Sequence, residues 1–180
     1  MFKSAKIAFC GSMTALSVAI MLISGFFAAG FYSFPALSGV ILSIVVLEIG
    51  LKWGLLSFFS TSFLSLLLVP NKESSVIFTM FFGYYPIIKV YIDGVKSKIL
   101  KIFYKILVFN VASVLEFFIS TKILIIPEES YNLFGISTPL FLLFIGNVVF
   151  WIYDRAVSNL IIAYLSKYSK KVKSLMHLSA

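Results

Sequence analysis

The chain has 180 residues, of which 61% are hydrophobic and 12% charged, with a mean hydropathy of +1.05. A soluble domain is about 45–50% apolar and about 25% charged, and a globule of this size hides only about 70% of its unfolded surface. That excess excludes a soluble domain, a disordered chain and a secreted disulfide scaffold, so lipid is the solvent this sequence needs.

Helices and closed barrels are the structures that satisfy their backbone in lipid. The short alternating segments of a barrel are missing here, and long unbroken apolar runs take their place. The predicted fold is all-α, a polytopic membrane protein with about six transmembrane helices in one bundle.

The first predicted span, residues 7–29, follows Lys3 and Lys6. It is too long for the apolar core of a signal peptide. Small residues Gly11, Ala15 and Ala19 recur on it at four-residue spacing, with Ala8 and Ser12 beside them. Such a stripe lets a second helix approach closely. That helix belongs either to this chain or to a separate membrane subunit. Cys10 lies in the same run; as the chain's single cysteine it makes no intrachain disulfide and reads as packing.

The second span, 35–51, carries Glu48, and the third, 53–69, stops at Pro70-Asn71-Lys72-Glu73. The two are nearly continuous. The fourth, 75–92, contains Phe81-Phe82-Gly83-Tyr84-Tyr85-Pro86. Pro86 lacks an N–H and crowds the Phe82 carbonyl, which predicts a kink. Tyr84 and Tyr85 beside that break either line a small-molecule pocket or fill a kinked packing helix. The fifth span, 100–126, holds Asn110 and Glu116; the sixth, 138–165, holds Asn147, Asp154 and Arg155.

With the N-terminus inside, twelve lysines flank the inner span ends and only Lys72 and Lys122 the outer ones. Lysine bias of this kind places both termini in the cytoplasm. It also explains the net charge of +8 by contact with anionic headgroups, and removes nucleic acid as a partner. The inner polar residues Glu48, Asp154, Arg155, Lys89 and Lys105 read as an ion-pair belt with snorkelling lysines. Asp154 and Arg155 point about 100° apart on a helix, so each needs a partner elsewhere, and Glu48 is a mate for Arg155. Glu116 is deeper, with no cation expected at its level. It is protonated, paired with Asn147, or facing a polar cavity, and is the foremost ligand or proton site, with Asn110 nearby.

Enzyme chemistry is poorly provided for. The one histidine, His177, lies in the tail, so neither a serine–histidine pair nor a histidine zinc site can form. No glycine-rich phosphate loop occurs. Glu128-Glu129 are adjacent carboxylates in an outer loop without a histidine near them. The chain is expected to be no enzyme, with no metal and no cofactor.

The run Ala8-Phe9-Cys10-Gly11-Ser12-Met13-Thr14-Ala15-Leu16-Ser17-Val18-Ala19, within a six-span plan of 180 residues, resembles the substrate-binding (S) components of energy-coupling factor transporters. In that family alanines four apart on the first helix dock a transmembrane coupling subunit, and Ala15 and Ala19 match that spacing, extended by Gly11. The resemblance implies partners (the coupling subunit and two cytoplasmic ATPases) and a vitamin or other micronutrient captured near the outer face. No ligand-specific residues carry over. The stretch from Leu66 to Glu73 and on through Phe82–Pro86 also resembles uncharacterised six-helix membrane proteins of Gram-positive bacteria. The leading expectation is therefore a small-molecule uptake subunit in a bacterial-type plasma membrane. The alternatives are a non-transporting scaffold in cell-wall synthesis or cell shape, and an independent proton-coupled carrier using Glu116.

Overall fold

A computed structural model describes residues 3–26, 30–123 and 139–167. Helix α1 spans Lys3–Ile23, α2 Gly30–Ile49, α3 Leu51–Leu68, α4 Lys72–Ile77, α5 Tyr85–Asp93, α6 Lys98–Lys122 and α7 Pro139–Lys167. A π-helical stretch, Phe78–Phe82, joins α4 to α5, and among the described residues there is no strand. The run Lys72–Asp93 crosses as one unit, so six helical stretches are long and apolar enough to span a membrane. The all-α membrane bundle expected from composition is the observed fold. His177, Glu128, Glu129 and the tail lysines Lys170, Lys171 and Lys173 lie outside the described residues.

On one helix the burial pattern of a soluble protein is reversed. On α3 the buried face is Gly54, Ser57, Phe58, Thr61, Ser62 and Ser65, whereas Phe59 and Phe63 are each 65% exposed. Small and hydroxyl side chains let helix backbones approach where lipid offers no hydrophobic drive to associate. The bulky side chains face the acyl chains instead. Across α1 and α2, Ser17 Oγ donates to the Ser38 carbonyl at 3.4 Å and Ser38 Oγ to the Ser17 carbonyl at 3.0 Å. Ser75 Oγ donates to the Ser65 carbonyl at 3.0 Å and ties α4 to α3.

Two prolines sit where a helix carries on. Pro35 lies inside α2 and leaves the Phe31 carbonyl, four residues back, without its helical donor. Ser74 Oγ supplies one at 3.0 Å. This repair lets α2 begin at Gly30, five residues before the start that the apolar run predicts at Pro35. Pro86 falls in the first turn of α5, where its missing N–H is an orphan anyway. The predicted kink takes the form of a π turn, closed by Gly83 N donating to the Phe78 carbonyl at 2.7 Å. A Cβ on Gly39 of α2 would lie 1.9 Å from the Phe82 carbonyl oxygen, so only glycine admits the broken crossing at this distance.

The junction of the second and third spans is a single residue, Gly50, at φ +100°. That left-handed conformation costs glycine little, and it folds α3 directly back along α2. A Cβ on Gly54 would stand 2.2 Å from the Val46 side chain, which shows how tightly the two helices meet.

Two packed clusters result. Met21, Leu42, Val46, Phe58, Val69, Phe78 and Ile87 hold α1, α2, α3, the π-helical stretch and α5 together. Phe81, Tyr85, Ala112 and Phe150 join the broken crossing to α6 and α7. In the second cluster Phe109 stacks on Phe150 with ring centres 4.8 Å apart, in the range where aromatic pairs add to burial.

Candidate functional site

Tyr85, Lys89 and Asp93 recur every fourth residue on α5 and so share one helical stripe. Lys105 of α6 and Asp154 of α7 face that stripe. Asp154, 3% exposed, is the hub. Its Oδ1 accepts from Tyr85 Oη at 2.6 Å and from Lys89 Nζ. Lys105 Nζ donates to Oδ2 at 2.8 Å and to Oδ1 at 3.1 Å. Asp93 closes the ring, 2.9 Å from Lys89 Nζ and 2.7 Å from Lys105 Nζ. Two cations meet two anions, so the cluster is formally neutral. Neutrality and saturated hydrogen bonding are the conditions under which charges persist in a membrane interior. Lys101 Nζ donates to the Asp93 carbonyl at 2.7 Å and caps the end of α5.

The ion-pair belt expected at the lysine-rich end therefore exists, with a different membership. Lys89 and Lys105 are 1% and 5% exposed and turn inward instead of snorkelling. Asp93, one residue beyond the predicted end of the fourth span, is an integral member. Its spacing from Tyr85 and Lys89 was the available signal. The predicted Glu48–Arg155 pair does not form. Asp154 takes the inward direction on α7, and the next side chain, about 100° round the helix, leaves Arg155 exposed. Glu48 Oε1 accepts from Tyr164 Oη at 3.0 Å, and Glu48 Oε2 is buried without a partner.

Farther from the lysine-rich end, Asn110 and Asn147 bond each other reciprocally at 3.2 and 3.0 Å. Each also donates to the carbonyl four residues back, Ile106 and Leu143, at 2.8 Å. The alternative that paired Asn147 with Glu116 is thereby overturned. Glu116, six residues after Asn110, lies about 120° away around α6. Glu116 Oε1 instead accepts from Ser120 Oγ at 3.0 Å on its own helix. Tyr85 belongs to the ion cluster. Tyr84 is half-buried against Phe58, edge-on with ring centres 6.0 Å apart.

The α1 stripe lies apart from both polar layers. Cys10, Thr14, Ser17, Val18 and Met21 form the buried face of α1. Gly11, Ala15 and Ala19, with Ala8 and Ser12, are exposed on the other side. A Cβ on Gly11 would meet nothing within 4 Å. Among the described residues no helix of this chain covers the stripe.

Among the described residues no group of three or more His, Cys, Asp or Glu side chains could hold a metal ion. Set against protein-family models, curated proteins and solved structures, the chain matches none.

Proposed function

We propose that this chain is a membrane subunit that captures a small molecule, of the vitamin or micronutrient class, for uptake energised by partner ATPases. The observation that carries this reading is the exposed Gly11, Ala15 and Ala19 stripe. A helix that packs its hydroxyl face inward and turns its smallest residues to the lipid is shaped to receive a second backbone. The partner is a transmembrane coupling subunit seated on α1. In this reading the lysine-rich end faces the cytoplasm of a bacterial-type plasma membrane, and Glu116, Asn110 and Asn147 lie on the capturing side. The chain performs no chemistry of its own and uses no cofactor.

Affinity purification from native membranes, with mass spectrometry of bound proteins and small molecules, tests the proposal. A coupling subunit and ATPases should copurify with the wild type and be lost from the Ala15→Trp/Ala19→Trp variant, which still inserts. Retention of the same partners by that variant would overturn the docking claim. Recovery of wall-synthesis proteins alone, with no ATPase, would favour a scaffold.

One observation favours a second reading, an independent proton-coupled carrier. Glu116 is a half-buried carboxyl within a span whose hydrogen bond comes from a serine, and intramembrane carboxyls of this kind serve proton relays. Transport by the purified chain in liposomes, abolished by Glu116→Gln, is its test.

A further inference from the structure

The outward face of α3 carries Phe59 and Phe63, bulky side chains suited to acyl chains. The outward face of α7 differs. Val148, Ile152, Arg155, Asn159, Ile162 and Ser166 follow one another at steps of four and three residues, and all six are exposed. They run down the side of α7 opposite Phe150, Asp154 and Val157, which are buried against the bundle. Arg155 stands near the middle of the helix, twelve residues and so about 18 Å from Lys167 at its lysine-rich end. Neither its guanidinium nor the Asn159 amide has a hydrogen-bond or ion-pair partner among the described residues. A charge at that depth belongs in a bundle interior, beside a partner. Snorkelling does not relieve it, because side chains lean toward the N-terminus of their helix, which on α7 is the end away from the lysines.

We infer that this face seats a transmembrane helix of another protein, one that carries an aspartate or glutamate in the middle of its span. Steps of four and three make the narrow seam that one crossing helix covers. At its centre Arg155 and Asn159, one turn apart, offer a guanidinium fork and an amide N–H, a donor set that a single carboxylate satisfies. The charge of Arg155 fixes the sign of the partner, and the described carboxylates of this chain do not supply it. Asp93 and Asp154 are held by Lys89 and Lys105, and Glu48 by Tyr164. Glu73, at the start of the crossing that ends at Asp93, and Glu116, eleven residues past Lys105, lie toward the opposite end. In a two-fold pair of copies Arg155 would meet its own counterpart. The site shares no residue with the α1 face and does not depend on the uptake proposal.

Förster transfer in phosphatidylcholine vesicles tests it, between the labelled full chain and a leucine–alanine transmembrane peptide of about 20 residues with Asp or Leu at its centre. The Asp peptide should bind about tenfold more tightly than the Leu peptide, the ratio that one charge-assisted hydrogen bond sustains. Arg155→Leu should abolish that preference while the chain keeps its helical content, since the side chain is exposed. Arg155→Lys, which keeps the charge, should retain part of it. Equal binding of the two peptides by the wild type, or a preference that survives Arg155→Leu, would overturn the inference. So would displacement of the Asp peptide by added phosphatidylglycerol, which would give Arg155 to a lipid phosphate. A homodimer that Arg155→Leu dissociates would likewise overturn it and give the face to a second copy.

Discussion

Ser74 Oγ stands 3.0 Å from the carbonyl of Phe31, the carbonyl that Pro35 deprives of its helical donor. One hydroxyl from α4, itself fully buried, thus repairs a defect in α2. Ser74→Ala should cost about 1–3 kcal/mol, the range for a buried acceptor left unmade. Pro35→Ala restores an N–H at the right position. In that background Ser74→Ala should cost well under half as much. Unfolding in mixed micelles under rising dodecyl sulfate, followed by far-ultraviolet circular dichroism, measures both. Equal costs in the two backgrounds would show that the hydroxyl does not serve this carbonyl.

Gly39 and Gly11 give a contrast within one chain. A Cβ at Gly39 would come 1.9 Å from the oxygen and 2.8 Å from the carbon of the Phe82 carbonyl, both backbone atoms that cannot rotate away. Gly39→Ala should push α2 off the broken crossing and destabilise the bundle by about 3 kcal/mol or more, the upper range for overpacking. Gly11→Ala meets nothing and should leave stability level or raise it by up to about 1 kcal/mol, the helix-propensity gain of alanine over glycine. The same denaturation assay ranks them, and a similar cost at both positions would contradict the close approach.

Composition was enough to reveal the solvent and the helices, because six apolar runs of spanning length leave little else to build. It could not reveal which face of each run points inward. In lipid both faces are apolar, so Phe59 and Phe63, residue types that a soluble protein would bury, face outward while Thr61 and Ser65 are buried. The polar residues told more. Asp154 was expected to find partners on other helices, and it does so through Lys89 and Lys105. The choice of partner escaped sequence reasoning because it depends on helix register. Asn110 is level with Asn147 only because α6 and α7 run antiparallel from Lys105 and Asp154 onward. Asp93 was hidden beside Gly94 at a helix end, where acidic residues usually mean a turn.

The asparagine pair fixes that register, and its strength is measurable by a double-mutant cycle. Asn110→Leu and Asn147→Leu should each destabilise the bundle by about 1 kcal/mol, a typical value for interhelical hydrogen bonds between membrane helices. Each single variant strands the other amide. The double variant should therefore cost less than the two together, with a coupling of about 0.6 kcal/mol or more. Strict additivity would mean that each asparagine is satisfied by its own helix, through the bonds to Ile106 and Leu143.

The ion cluster gives the largest expected effect and a counterintuitive rescue. Asp154→Leu leaves Lys89 and Lys105 competing for the single carboxylate of Asp93, with both ammonium groups still buried. Breaking a buried network by removing one partner costs about 3–5 kcal/mol, mostly the stranded charge. Adding Lys89→Met removes that charge. Lys105 and Asp93, 2.7 Å apart, then remain as a matched pair. The Lys89→Met/Asp154→Leu variant should accordingly be more stable than Asp154→Leu alone, although it carries two substitutions. Chemical denaturation of the three proteins in the same micelles decides the matter. If the double variant is the least stable, the cluster acts through its individual hydrogen bonds, Tyr85 to Asp154 foremost, and charge balance is not what holds α5, α6 and α7 together.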